Sequence, residues 1–196
     1  MDSNFRDPNR ICFDLKKSIA RLCPKIPEIE NSGFQTDASG GQALSPFAAM
    51  SCLENDEVRT VKYLQAGYSA IKSAMQKFPE RPIRVMELGS GPYATLTMPL
   101  ASLFEEGEVE FIAVDIFRES MHCVHRIAMT LGQANKFSDF LVGDATTLSM
   151  KALGKKLPHV VLCETMVPGL QVEPQLAITA NFGDQLVEGG FFIPEE

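Results

Sequence analysis

From residue 83 to residue 193 the chain alternates short apolar runs of strand type with helical stretches, and this alternation constrains the fold more than any other feature. The strand-type runs are 83–88, 109–114, 137–142, 159–163 and 191–193, and the helical stretches between them are 96–104, 118–131, 148–153 and 174–186. Strands that are each followed by a helix cannot pair as hairpins. They need crossovers, which are right-handed, so the pattern predicts βαβ units and a mostly parallel sheet with helices on its faces.

The chain before Pro79 and Pro82 reads differently. Residues 1–45 give a weak helix over 10–22, a stretch punctuated by Pro24 and Pro27, and a Gly/Ser/Thr-rich segment over 31–41 expected to be a flexible linker. From 45 to 78 the period is helical: Pro46 suits a first turn, and Met50, Leu53, Val58, Val61, Leu64, Tyr68, Ile71 and Met75 recur at spacings near three and four. Two helices, or one broken near Gly67, fit that pattern equally well. The expected organisation is therefore an N-terminal helix and linker over 1–45 and an α/β Rossmann-like domain over 46–196. Five strands are part of a doubly wound sheet, and the last would lie at a bare edge. Such an edge invites pairing, so a longer protein with a further C-terminal domain, or a homo-oligomer, is expected to cover it.

Charge and cysteine usage exclude several function classes. With 18 Lys plus Arg against 25 Asp plus Glu, the net charge is -7, which disfavours nucleic acid as a partner and favours a cationic one. No apolar run approaches the roughly 20 residues of a membrane span, and the first ten residues are not of signal-peptide type. The 5 cysteines, Cys12, Cys23, Cys52, Cys123 and Cys163, are scattered and odd in number, as in a reduced cytoplasmic protein. No CxxC pair suggests zinc. His122 and His125 flank Cys123 on an expected helix, but no third ligand stands at usable spacing, so no metal is expected.

The strongest local signal is Glu87-Leu88-Gly89-Ser90-Gly91, where the first strand of the α/β region meets a helix. Glycine there allows a tight turn and lets a ligand lie against bare backbone near a helix N-terminus. An acid at Glu87 opposes a pyrophosphate and suits a ligand that carries an ammonium. The third glycine of a dinucleotide fingerprint is missing, since Pro92-Tyr93-Ala94 follow. Both departures favour S-adenosylmethionine over a nicotinamide cofactor. Asp115 ends the second strand of this region, where an acid accepts hydrogen bonds from two ribose hydroxyls. Asp144, followed by Ala145, ends the third and suits either an adenine contact or a capping role.

On these residues the sequence resembles the class I S-adenosylmethionine-dependent methyltransferases, and more narrowly the protein arginine methyltransferases. The narrower resemblance rests on two further stretches. Leu53-Glu54-Asn55-Asp56-Glu57-Val58-Arg59-Thr60-Val61-Lys62-Tyr63 is similar to the helix that precedes the family's fold, and it implies that Arg59 reaches the cofactor's carboxylate. Glu164-Thr165-Met166-Val167-Pro168-Gly169-Leu170-Gln171-Val172-Glu173 resembles the paired-glutamate loop that holds a substrate guanidinium. Gly189-Gly190-Phe191-Phe192-Ile193-Pro194 resembles the family's last motif before its β-barrel, which is absent from this chain. The family's Trp, Gly and Tyr beyond the first glutamate are replaced, with Thr165, Val167 and Pro168 in the segment.

The resemblance implies a methyltransferase that uses S-adenosylmethionine, releases S-adenosylhomocysteine, and methylates a guanidino or amino nitrogen in a protein or an arginine-like small molecule. The implied cofactor site is Arg59, Glu87, Gly89, Ser90, Gly91, Asp115, Ile116, Asp144, Ala145 and Glu164, with Glu164 and Glu173 as the catalytic pair. Two planar carboxylates match a planar cation with several N–H donors. Other readings of the same residues are a strand-end cap at Glu164 and an acidic first turn at Glu173. A methyltransferase with an unrelated acceptor and a non-catalytic cofactor-binding module are the corresponding alternative functions.

Overall fold

The computed structural model describes residues 35–36, 42–43, 57–165 and 174–194. The expected helix over 10–22, Cys12, Cys23, Cys52, the loop over 166–172 and Glu173 lie outside them. So does the first part of the helical stretch that begins at residue 45. Within the segment read as a linker lies β1 (Gln35–Thr36), which pairs antiparallel with β2 (Gln42–Ala43) just after it.

The α/β region follows the predicted alternation closely. A long helix, α1 (Glu57–Lys77), leads into β3 (Ile83–Leu88), α2 (Thr97–Ala101), β4 (Val109–Asp115), α3 (Arg118–Thr130), β5 (Phe137–Val142), β6 (Val160–Cys163), α4 (Gln175–Phe182) and β7 (Phe191–Ile193). The five strands β3 to β7 form one sheet in the order β5-β4-β3-β6-β7, and every pairing in it is parallel. Succession runs outward from β3 to β5, then returns to the other side of β3 for β6 and β7. The reversal leaves a crevice at the C-terminal ends of β3 and β6, the place where open α/β sheets bind ligands.

Both faces of this sheet are covered, so its strands are buried on alternating sides. Ile83, Val85, Phe111, Ala113, Val160 and Leu162 pack with residues of α1, α2 and α3. Met86, Leu88, Ile112, Val114, Val161 and Cys163 pack on the other side with Met150, Ile178 and Phe182. Such two-sided burial is why the strands read as continuous apolar runs rather than as strict alternation.

Three expectations change. Helix α1 is unbroken through Gly67, and a Cβ there would stand 3.1 Å from Leu100 and 3.3 Å from Leu162, so the glycine allows close packing onto α2 and β6. Its buried stripe is Tyr63, Gly67, Ala70, Ile71 and Ala74, whereas Val58 and Tyr68 from the expected apolar set are exposed. Small residues let the helix approach the sheet, and that outweighs the side-chain hydrophobicity of the neighbouring stripe. Finally, 148–153 forms turns instead of a helix. Leu153 N–H reaches Ser149 O, but Gly154 takes a φ of 64° and the next N–H groups turn back to Lys151 and Met150, so the helical turn does not propagate. Among the described residues no helix is long and apolar enough to cross a membrane.

Candidate functional site

Strand β3 delivers the chain to the crevice and Gly89 and Gly91, at φ 69° and 60°, turn it sharply towards α2. Two groups at the end of β4 hold this turn. Ser90 donates its N–H to Val114 O at 3.0 Å, and Gly91 donates its N–H to the Asp115 carboxylate at 2.9 Å. The other oxygen of Asp115 accepts the Phe117 N–H at 2.8 Å, which fixes the half-buried Ile116 between them. Burial raises the pKa of Asp115, and the Phe117 and Gly91 donors pull it back down. The Ser120 side chain also bears on this carboxylate, which with about four acceptor positions keeps some capacity beyond these donors.

Ala94 has a φ of 46°. It stands where a dinucleotide fingerprint has its third glycine, so the backbone keeps a left-handed residue there although the sequence offers a Cβ. Left-handed non-glycine residues are strained and concentrate at functional sites.

Glu87 plays another part than an exposed partner for an ammonium. It is 3% exposed, and its oxygens accept the N–H groups of Leu96 at 3.2 Å and Thr97 at 2.9 Å together with the Thr97 hydroxyl. The carboxylate thus caps the start of α2 from beneath the glycine turn. Burial pushes its pKa up to about 7, against the opposing pull of the Thr97 and Leu96 hydrogen bonds.

Asp144 closes its own turn: its Oδ1 accepts the Thr146 N–H at 2.8 Å and the Thr146 hydroxyl at 2.7 Å. This is the capping arrangement, and it sits beside Ala145, whose carbonyl accepts a hydrogen bond from Asn181 at 2.9 Å. Asn181 and Gln185 both bond Leu148 O, so this loop is tied to α4 and to the segment after it.

At the end of β6 the site is built from side chains. Arg59 on α1 and Glu164 lie 3.1 Å apart as an ion pair. Thr165 donates its hydroxyl to Gln175 Oε1 at 2.7 Å, and Gln175 also accepts from the Cys163 thiol at 3.3 Å. The chain therefore leaves at Thr165 and rejoins at Gln175 beside its own starting point. Burial pushes the Cys163 thiol up to about 12, so it is not a nucleophile. The structure thus gathers Gly89, Ser90, Gly91, Asp115, Ile116, Arg59 and Glu164 at the C-terminal end of the sheet, while Glu173 is outside the described residues.

Sequence reasoning missed Thr97, Gln175, Thr165 and Tyr63. A Cβ on Gly89 would stand 2.5 Å from Thr165 Cγ2, so the two strand ends touch at this glycine, and the clash a larger residue makes there is with the protein itself. The helical spacing of four between Arg59 and Tyr63 was the available signal for the last of them. His159 is fully buried at the other end of β6, where its Nδ1 accepts the Arg84 N–H at 2.9 Å. Burial, and then Arg84, lower its pKa to about 4, which makes it a neutral core residue. His122 and His125 are both exposed, and no cluster of metal-ligand type exists among the described residues.

No family model matches the chain, and no curated protein matches it. Solved structures do. An S-adenosylmethionine-dependent methyltransferase from Clostridium acetobutylicum superposes with a TM-score of 0.50 at 15% identity, over 74% of this chain and 56% of its own. The CcbJ methyltransferase from Streptomyces caelestis gives 0.46 at 23% identity, over 64% and 47%. The glycopeptide N-methyltransferase MtfA, solved with S-adenosylmethionine, gives 0.45 at 17%, over 64% and 48%. The chain spans about half the length of these proteins. Together with the sheet order, the first of these likenesses establishes the Rossmann-like fold of the S-adenosylmethionine-dependent methyltransferases.

Proposed function

We propose that the chain is an S-adenosylmethionine-dependent methyltransferase whose cofactor lies over the Gly89–Gly91 turn with its ribose on Asp115, and whose acceptor is a guanidino or amino nitrogen. The observation that carries the first part is the Asp115 carboxylate, which is buried at the end of β4 and bonded to the Gly91 N–H of the glycine turn. The residues fit the group: bare backbone at Gly89 and Gly91 admits a close ligand, and the acid at the end of β4 matches a pair of vicinal hydroxyls.

S-adenosylmethionine supplies an electrophilic methyl group on a sulfonium. The protein's own work is positional, since in-line displacement needs an acceptor lone pair about 3 Å from that carbon. Glu164 stands at the mouth of β6 to hold a cationic acceptor, with Glu173 as the second carboxylate of the pair. A guanidinium, as in a protein arginine or an arginine-like small molecule, satisfies both through charge-assisted bonds. One observation favours a second reading: Glu164 already holds Arg59, so its role is structural if the acceptor is an unrelated small molecule.

Transfer of labelled methyl groups to arginine-rich peptides, free arginine and simple amines, by the wild type and by Glu164→Gln, separates the two. The guanidinium reading expects Glu164→Gln to lower turnover about 30-fold to 10³-fold, with S-adenosylhomocysteine affinity changed by less than about threefold. Full activity in the amide variant contradicts it.

A further inference from the structure

The hydroxyl of Tyr63 is buried, and among the described residues it has no hydrogen-bond partner. The side chain is 7% exposed and packs in the layer between α1 and the sheet. Buried tyrosine hydroxyls almost always find a partner, because an unpaired one loses its water for nothing. A phenylalanine would fill the same space without that loss.

The position of the hydroxyl suggests what it serves. Tyr63 follows Arg59 by one helical turn on α1, so both side chains project from the same face. Arg59 in turn holds Glu164 at 3.1 Å. Burial, and then the Glu164 carboxylate, push this hydroxyl up to about 12 against a weaker pull from Arg59, so of the ion pair the carboxylate acts on it more strongly. Such a field favours a ligand that brings a cationic N–H to the oxygen over one that brings a carboxylate.

We propose that Tyr63 determines acceptor choice: its hydroxyl oxygen accepts a hydrogen bond from an N–H of a guanidinium or ammonium held against Glu164. The proposal rests on the methyltransferase reading above and adds to it a residue outside the glutamate pair. It also gives a role to a polar atom left unpaired in the layer between α1 and the sheet.

The chain contains 3 tyrosines, Tyr63, Tyr68 and Tyr93, and no tryptophan, so ring-carbon labelling at Cζ gives three resonances that the Tyr63→Phe protein assigns. With S-adenosylhomocysteine bound, titration with arginine amide should move the Tyr63 resonance saturably. Tyr63→Phe should weaken arginine amide binding by at least about fivefold, with S-adenosylhomocysteine affinity and melting temperature held or the latter raised. A Tyr63 resonance that responds to S-adenosylhomocysteine alone, or to neither probe, overturns the proposal. So does a fall in melting temperature with arginine amide affinity unchanged, which marks a structural hydroxyl. Failure of the wild type to bind S-adenosylhomocysteine removes the methyltransferase reading and this proposal together, whereas intact binding with a silent Tyr63 removes the proposal alone.

Discussion

Around the ends of β3 and β4 the candidate site consists mainly of backbone: two glycines at positive φ, N–H groups of Ser90 and Gly91, and buried carboxylates that accept from main-chain donors. At the end of β6 it consists of side chains, with Arg59 against Glu164 and Gln175 against Thr165. In the first region the side chains of Glu87, Ser90 and Asp115 are buried, and the geometry follows from the turn itself. The second is about one-third exposed at Arg59 and Glu164 and depends on which side chains happen to meet. In the function proposed above, backbone positions the cofactor and side chains select what is brought to it.

Removing Asp115 should do the greatest damage, because it leaves the Gly91 and Phe117 N–H groups without their acceptor. Asp115→Ala is expected to destabilise the protein by about 3–5 kcal/mol in urea unfolding, an orphaned donor costing about 1–3 kcal/mol. A change below about 1 kcal/mol would show that the β4 end contributes no more to stability than the β6 end.

Gly89 is where the two regions touch. Gly89→Ala combines a left-handed alanine, at about 1–2 kcal/mol, with the clash against Thr165, so about 2–4 kcal/mol of stability should be lost. Adding Thr165→Ser removes the clashing methyl and keeps the hydroxyl for Gln175. The double variant should recover part of the loss and leave the backbone part, which unfolding of all three proteins would resolve.

Glu87→Gln should cost about 1–2 kcal/mol below about pH 4.5, where the contribution of this group is fully present. Its pH dependence has a definite sign. With the folded pKa raised from 4.5 to about 7, the folded state binds the proton more tightly than the unfolded chain, so this group's contribution is fully present below about pH 4.5 and lost as pH rises through about 7. The advantage of wild type over the amide should therefore shrink between those values. A widening gap would mean that the Glu87 carboxylate is better stabilised than its burial allows.

Breaking the Arg59–Glu164 pair is expected to have the smallest effect on stability. A partly exposed ion pair is worth under about 1 kcal/mol, and a double-mutant cycle with Arg59→Met and Glu164→Gln measures it. A coupling of several kcal/mol would make the β6 end as structurally committed as the glycine turn.

The same division decides what the sequence made legible. Five strand positions stood out because a sheet covered on both faces writes continuous apolar runs, and the glycine turn because only glycine accepts that backbone readily. The role of Glu87 was hidden: its partners, Leu96 and Thr97, come nine and ten residues later and meet it only when the turn folds back. Gln175 was hidden for a similar reason, since it meets Cys163 and Thr165 across a tertiary contact between separate elements. The turns at 148–153 were misread as helix because a short apolar stretch carries no sign of the left-handed Gly154 that ends it.

Isothermal titration of the wild type and Asp115→Ala with S-adenosylhomocysteine, well below either melting temperature, tests most directly whether the cofactor lies over the glycine turn against Asp115. Saturable one-to-one binding by the wild type, weakened at least about tenfold in the variant, is the result expected from losing a charged acceptor of two hydroxyls. Equal affinity in the two proteins, or no binding by the wild type, would contradict it.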